Sequence, residues 1–369
     1  MLVQEKYKEG NIRIPSGCAI SGIFNRDGVR VSGRAIVNSI ATMHERSNGL
    51  GGGFAGYGIY PEFKAEYAFH VFYDNVKAQH EFEQRLAESF DVVNSGTLPT
   101  KPVPSITDAP SLMRYFAHPK AQILADSKLD EKEFAVRFVT EINTQVDGAY
   151  IFSSGKNMGV FKAVGYPEDV GEFYRLEEYE GYCWTAHGRY PTNTPGWWGG
   201  AHPFSMLDYS IVHNGEISSF DANRRFIEMY GYHCSLLTDT EVITYIIDFL
   251  SRRKGLTLPE VASVIAAPFW STIEALPQEE KERITYLREV FSSLLITGPF
   301  SILLGYTGGI MALNDRLKLR SMVCAEKGET VYFASEECAI RVIEPDVERV
   351  WAPSGGEAVV VTLNEGVEV

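Results

Sequence analysis

A chain of 369 residues with 45% hydrophobic and 22% charged residues is long enough for two average domains, or for one large α/β domain with insertions, and has the composition of a folded protein. Its formal net charge of −14 excludes the concentrated Lys and Arg that phosphate binding needs, so no nucleic-acid partner is expected. No apolar run approaches the roughly 18 residues of a membrane span, and residues 1–17 lack the apolar centre of a secretory signal.

In chain order, residues 18–31 form an apolar, strand-like run closed by a turn at 25–28. Residues 33–46 carry helical spacing through Ile36, Ile40 and Met43. The glycine-rich stretch between Gly49 and Gly58, interleaved with Phe54 and Tyr57, reads as a tight loop entering a closely packed strand. A strand over 65–73 and an amphipathic helix over 77–90 follow, then a Pro-, Ser- and Thr-bearing loop over 94–111. Residues 131–146 read as a helix, with strands at 149–154 and 159–165 after it. Strands resume at 182–187 and 209–213, and helical patterns cover 219–230 and 240–252. The last third alternates Leu-rich helix with strands such as SILLGYTG, GIMALND, LRSMVCAE and TVYFAS. Strands in succession without βαβ alternation predict an α+β sandwich of antiparallel sheets. No linker divides the chain: one catalytic domain over 18–369, a leader over 1–17 and an insertion around 65–181 are expected.

Five cysteines, Cys18, Cys183, Cys234, Cys324 and Cys338, are scattered and none stands in a CxxC pair. The pattern points to a reducing, cytoplasmic setting, with no disulfide framework, metal site or iron–sulfur cluster built by this chain. Cys18 follows Ser16 and Gly17, small residues that permit backbone cleavage. A cut before Cys18 would place an α-amino group, with an ordinary pKa of about 7.7–8.0, on the same residue as the thiol and so supply a base. Taken alone, such a cysteine is more often a small buried hydrophobe.

The segment HGRYPTNTPGWWGGAHPFSMLDYSIVHNGEIS changes the balance. It puts Arg189 at a strand end, where a guanidinium can grip a carboxylate. It also sets Asn214 beside Gly215, a side-chain donor next to an unobstructed backbone N–H that suits an oxyanion hole or, more plainly, a hairpin turn. Asp239 precedes a helical run, so N-capping rivals any functional role. Trp197 and Trp198 read equally as lid or packing residues; His187 and His213 read as packing groups or as supports behind the motif residues, and the other four cysteines as buried thiols.

HGRYPTN, AHPF, HNGEIS and LTDTEVI together resemble the signature of the class II, N-terminal-nucleophile glutamine amidotransferases, nearest the amidotransferase domain or subunit of glutamate synthase. GPFSILLGYTG, NDRLKLRS and YFASEECAI are similar to that family's later strands, so the resemblance runs from Cys18 to about Val342. It implies a four-layer αββα sandwich of two antiparallel sheets. It further implies a glutaminase in which Cys18 forms a γ-glutamyl thioester, with Asn214 and Gly215 as the oxyanion hole. Arg189, followed by the aromatic Tyr190, would hold the glutamine α-carboxylate and Asp239 its α-ammonium; Arg46 would match an arginine near the nucleophile. Ala19 departs from the glycine usual after the nucleophile. The resemblance implies no cofactor in this chain, but a separate synthase subunit bearing FMN and iron–sulfur clusters to consume the ammonia. An amidohydrolase of another amide and a catalytically silent scaffold are the alternative readings.

Overall fold

The computed structural model describes residues 17–190, 196–236 and 238–369. The expected leader, save Gly17, and Pro191, Thr192 and Asn193 of the HGRYPTN motif lie outside the described residues.

Two antiparallel sheets form the centre. The first has seven strands in the order Arg349–Trp351, Val323–Lys327, Thr330–Ala334, Ala19–Asn25, Cys183–Gly188, Gly52–Tyr57 and Met158–Ala163. The second has five, in the order Phe204–Met206, Tyr209–Gly215, Phe300–Tyr306, Gly309–Asn314 and Ala358–Thr362. Ala19–Asn25 is buried over nearly its whole length because it has protein on both faces, which is why it reads as a continuous apolar run rather than an alternation. On one face Ser21 meets Ser39 of helix Arg34–Ala41 at 2.6 Å. On the other, a side chain at Gly22 would lie 3.1 Å from Leu303 and 3.2 Å from Ile310 of the second sheet.

Helices Arg34–Ala41, Pro167–Phe173 and Glu337–Arg341 cover the outer face of the first sheet through Ile36, Ile40, Val170 and Ile340. Helices Phe220–Glu228, Asp239–Asp248, Leu258–Ile265 and Gln278–Val290 cover the second, burying Ile227, Val242, Ile246, Val261 and Leu287 against Ile211, Ile302, Leu304 and Met311. The result is the expected four-layer αββα sandwich.

Within the stretch 65–181, residues 67–153 build a third, four-stranded antiparallel sheet, while Met158–Ala163 and Pro167–Phe173 belong to the sandwich. Its chain order is strand Tyr67–Tyr73, helix Val76–Ser89, strands Phe90–Thr97 and Ser111–Pro119, helices Ala121–Ser127 and Glu131–Gln145, and strand Ala149–Ser153. Counting these strands one to four, the spatial order is 2-3-1-4, the split βαββαβ arrangement of ferredoxin-like modules. Its helices bury Phe82, Phe138 and Ile142 against Phe69, Phe90 and Ile151. The loop expected from residue 94 begins only after Thr97. Strand Phe90–Thr97 is exposed beyond its first residue, so no apolar alternation announced it. Among the described residues no helix is long and apolar enough to cross a membrane.

Candidate active site

Cys18 sits immediately before the first strand of the first sheet. Because Ala19 pairs with Gly188, the segment after Gly188 runs past the thiol. The backbone N–H of Tyr190 donates to Cys18 Sγ at 3.3 Å, so Tyr190 enters the site through its backbone. Burial pushes the Cys18 thiol above its ordinary value, opposed by the Tyr190 N–H and by the charges of Arg189 and Arg320, and assisted by Asp239. Arg189, Asp239 and Arg320 are thus within electrostatic reach of the sulfur. The thiol is therefore protonated near neutral pH, and forming the thiolate takes a base.

Arg189 is 4% exposed, and room for its stem comes from Gly51, where a side chain would stand 3.0 Å from Arg189 Cδ. Gly53 could not bear a side chain either, since its Cβ would lie 2.2 Å from the His202 carbonyl. The glycine-rich stretch thus does what its composition predicted: it lets backbones approach beside the site. Arg46 donates to the Cys18 carbonyl from Nε at 3.4 Å and Nη2 at 3.3 Å, and from Nη1 to Glu336 at 2.9 Å. These contacts brace the backbone at Cys18.

Asn214 and Gly215 end the Tyr209–Gly215 strand of the facing sheet. Asn214 is fully buried, yet among the described residues neither its Oδ1 nor its Nδ2 has a partner. Buried amides are almost always bonded, so this one stands out among the described residues. Gly17 occupies the adjoining space: a side chain there would lie 3.6 Å from Asn214 Oδ1, 3.7 Å from Arg46 Nη2 and 3.3 Å from Arg320 Nη1. At Gly215 a side chain would collide with the Pro299 carbonyl at 2.1 Å.

Asp239 opens helix Asp239–Asp248, but the N-cap is Thr238, whose hydroxyl accepts from Glu241 N at 3.2 Å. The rival capping role for Asp239 is thereby corrected, because the residue before it already meets the free helix donor. The Asp239 carboxylate instead accepts from Ile217 N at 3.3 Å and lies 3.6 Å from His213 Nδ1. Burial raises its pKa, but His213, the Ile217 N–H and the Thr240 hydroxyl together outweigh burial and hold it below the ordinary value. The carboxylate is thus charged at neutral pH.

Behind it lies a buried polar layer. His187 stacks on His202 with ring centroids 4.0 Å apart and donates from Nε2 to the His213 carbonyl at 2.9 Å. Burial pulls His187 down to about 3 and His202 well below its usual value. Farther out, burial brings Lys162 down to about 7 and Glu241 up to about 7. Lys162 holds the Gly199 carbonyl at 3.0 Å, and Glu241 receives the Ser235 and Leu236 N–H groups at 3.1 and 2.9 Å. Among the described residues no group of His, Cys, Asp and Glu side chains could hold a metal.

Arg320, Thr238 and Thr240 were not singled out by sequence reasoning. Arg320 stood inside the quoted NDRLKLRS, and its position is set by Asn314, whose Nδ2 donates to the Arg320 carbonyl at 2.8 Å. Trp198 packs on Phe173 at 5.9 Å, as a structural residue does. Cys183, Cys234 and Cys324 are buried thiols, but Cys338 is exposed: it lies on the outward side of helix Glu337–Arg341, whose Ala339 and Ile340 face the sheet.

Residues 76–368 match the family model described as "Glutamine amidotransferases class-II"; Cys18 lies ahead of the matched span. The chain is 46% identical over 349 residues to an uncharacterized protein of Archaeoglobus fulgidus, covering 94% of this chain and 92% of that one. It is 25% identical to a putative glutamine amidotransferase of Methanothermobacter thermautotrophicus, covering 92% and 98%. Among solved structures, glutamine phosphoribosylpyrophosphate amidotransferase from B. subtilis, with ADP and GMP, aligns with a TM-score of 0.49 at 14% identity, over 94% of this chain and 47% of that one.

Proposed function

Because this chain belongs to the class II glutamine amidotransferases, we propose that it is a glutaminase subunit working through Cys18 and passing ammonia to a separate synthase. The observation that carries the reading is Asn214: a wholly buried amide with both polar atoms unpaired among the described residues, on the edge of the space that Gly17 fills. Removal of residues 1–17 empties that space and leaves a free amine on Cys18. The amine takes the thiol proton, and the sulfur attacks the glutamine side-chain carbonyl carbon. Asn214 Nδ2 and the Gly215 N–H receive the negative charge that develops on the oxygen. The proton then passes to the departing nitrogen, which leaves as ammonia, and water hydrolyses the γ-glutamyl thioester to glutamate.

Charge supports the substrate assignment. A free amino acid presents one carboxylate and one ammonium; Arg189 and Asp239, of opposite sign, both act on the Cys18 thiol, so both lie within electrostatic reach of the reacting atoms. The carboxylate would go to Arg189 and the ammonium to Asp239. Glutamate synthase is the preferred acceptor complex, with FMN and iron–sulfur clusters on the partner subunit; the resemblance of HGRYPTN and AHPF supports that choice.

Ammonia release from glutamine, asparagine and N-acylated amino acids, together with the mass of the active chain, tests the proposal. Activity confined to glutamine, in protein beginning at Cys18, is expected, and Cys18→Ala should abolish it. Active protein that still begins at Met1 would refute the free-amine mechanism, and inactivity on glutamine would refute the substrate.

A further inference from the structure

Thr240 is completely buried, and its hydroxyl meets three polar atoms: His202 Nε2 at 2.6 Å, His213 Nδ1 at 3.0 Å and Asp239 Oδ1 at 3.3 Å. A hydroxyl has one proton and two lone pairs. The Asp239 carboxylate can only accept, so satisfying all three contacts has one solution: Thr240 donates to Asp239, and both imidazoles donate to Thr240. If Thr240 gave its proton to His202 instead, its oxygen would face the carboxylate oxygen with no hydrogen between them. His202 Nδ1 would then carry an N–H, yet that nitrogen has no partner among the described residues. A buried N–H without an acceptor is rarer, and costlier, than an unused lone pair. His187, stacked on His202 and bonded to the His213 carbonyl, keeps both donors in place.

We propose that Thr240 is a positioning residue for substrate binding, a hydroxyl hub that collects N–H groups from His202 and His213 and aims the Asp239 carboxylate at the α-ammonium of glutamine. The inference rests on the substrate reading above. Asp239 Oδ2 is steadied by the Ile217 N–H and Oδ1 by the hub, so the carboxylate plane is set before substrate arrives and little ordering remains for binding to supply. The interaction is with the resting charge of the substrate, unchanged between ground and transition states, so its loss should appear in KM and not in kcat.

The test uses Thr240→Val, close in shape but without the hydroxyl, and Thr240→Ser, which restores it, in the full chain. Thr240→Val should raise the KM for glutamine about tenfold with kcat held within about twofold, the effect of one charge-assisted hydrogen bond, and Thr240→Ser should return KM to the wild-type value. With glutaramate, which lacks the α-amino group, wild type and Thr240→Val should show the same kcat/KM; an equal loss on both substrates marks a merely structural residue and overturns the proposal. An unchanged glutamine KM overturns it as well. A long-range proton–nitrogen spectrum of the imidazoles needs no turnover: protons belong on His213 Nδ1 and His202 Nε2 in the wild type. A lone proton on His213 Nε2 refutes the hub. Wild type that releases no ammonia from glutamine counts against the glutaminase reading, and the spectrum still decides the hub.

Discussion

His70 is fully buried, donating from Nδ1 to the Val160 carbonyl at 2.9 Å and accepting at Nε2 from the Tyr60 hydroxyl at 2.9 Å. Burial drives its pKa down, the Val160 carbonyl resists, and the Arg114 charge adds to the fall, leaving it at about 3. An unfolded histidine titrates near 6.5. Between those values the unfolded chain binds a proton that the folded chain refuses, so stability falls as pH falls. Near pH 5.5 each such histidine costs about 1.4 kcal/mol relative to near pH 7.5, and His70 with His187, also at about 3, removes about 3 kcal/mol. His202 acts in the same direction. Glu241 opposes them: pushed up to about 7 by burial, it gains a proton in the folded state first and contributes about 2 kcal/mol over the same interval. Urea unfolding free energies near pH 7.5 and 5.5 separate these effects. His70→Leu should be less stable than wild type at the higher pH, because Val160 loses its donor, yet lose about 1.4 kcal/mol less on acidification. Glu241→Gln should lose about 2 kcal/mol more. If both variants show the pH dependence of the wild type, burial does not govern these groups and the reasoning is wrong.

Two further outcomes follow from the site and the third sheet. Thr238→Ala should lower unfolding free energy by about 1 kcal/mol and leave the glutamine KM alone, whereas Asp239→Ala should raise KM at least about tenfold; steady-state kinetics paired with urea melts would expose a reversal. Glu133 receives Arg252 at 2.6 Å and Arg253 at 2.9 Å, and Arg252 also holds the buried Asp248 through two bonds of 2.7 Å. Glu133→Ala should cost roughly 1–3 kcal/mol, with hydrogen exchange rising first in helix Glu131–Gln145; exchange unchanged there would show that the ion pairs do not anchor the module.

Local chemistry made much of this legible. Buried strands such as Ala19–Asn25 declare themselves as apolar runs, and glycines beside Arg189 signal close backbone packing. The arginine, the Asn–Gly pair and the aspartate announced a site only in combination, since alone Asn–Gly reads as a turn and Asp239 as a helix cap. What stayed hidden depends on contacts across the chain. Strand Phe90–Thr97 has no apolar face to advertise it, and Thr240 looks like any helix residue until His202 and His213 are brought to it. Arg320 reaches Gly17 only through a turn organised by Asn314 and Asp315, whose carboxylate receives Leu317 N and Leu319 N at 2.9 Å each. Capping stays a rival role for Asp239 on sequence because Thr238 and Asp239 are neighbours and both residue types cap helices; only the Thr238 hydroxyl's bond from Glu241 N separates them.

The βαββαβ module leaves the first sheet after Tyr57 and returns at Met158, and those two residues are direct partners across neighbouring strands. Without the module they would be joined by a short hairpin; with it, about a hundred residues must be gathered before the pair can close. For a flexible chain that delay costs about 3 kcal/mol in closure entropy compared with a tight turn. The module's first strand pairs with its last, Tyr73 opposite Ala149 and His70 opposite Ser153, so a module that has closed presents its two ends side by side. Its folding would therefore set the pace at which the sandwich, and the cysteine at the end of its central strand, is assembled.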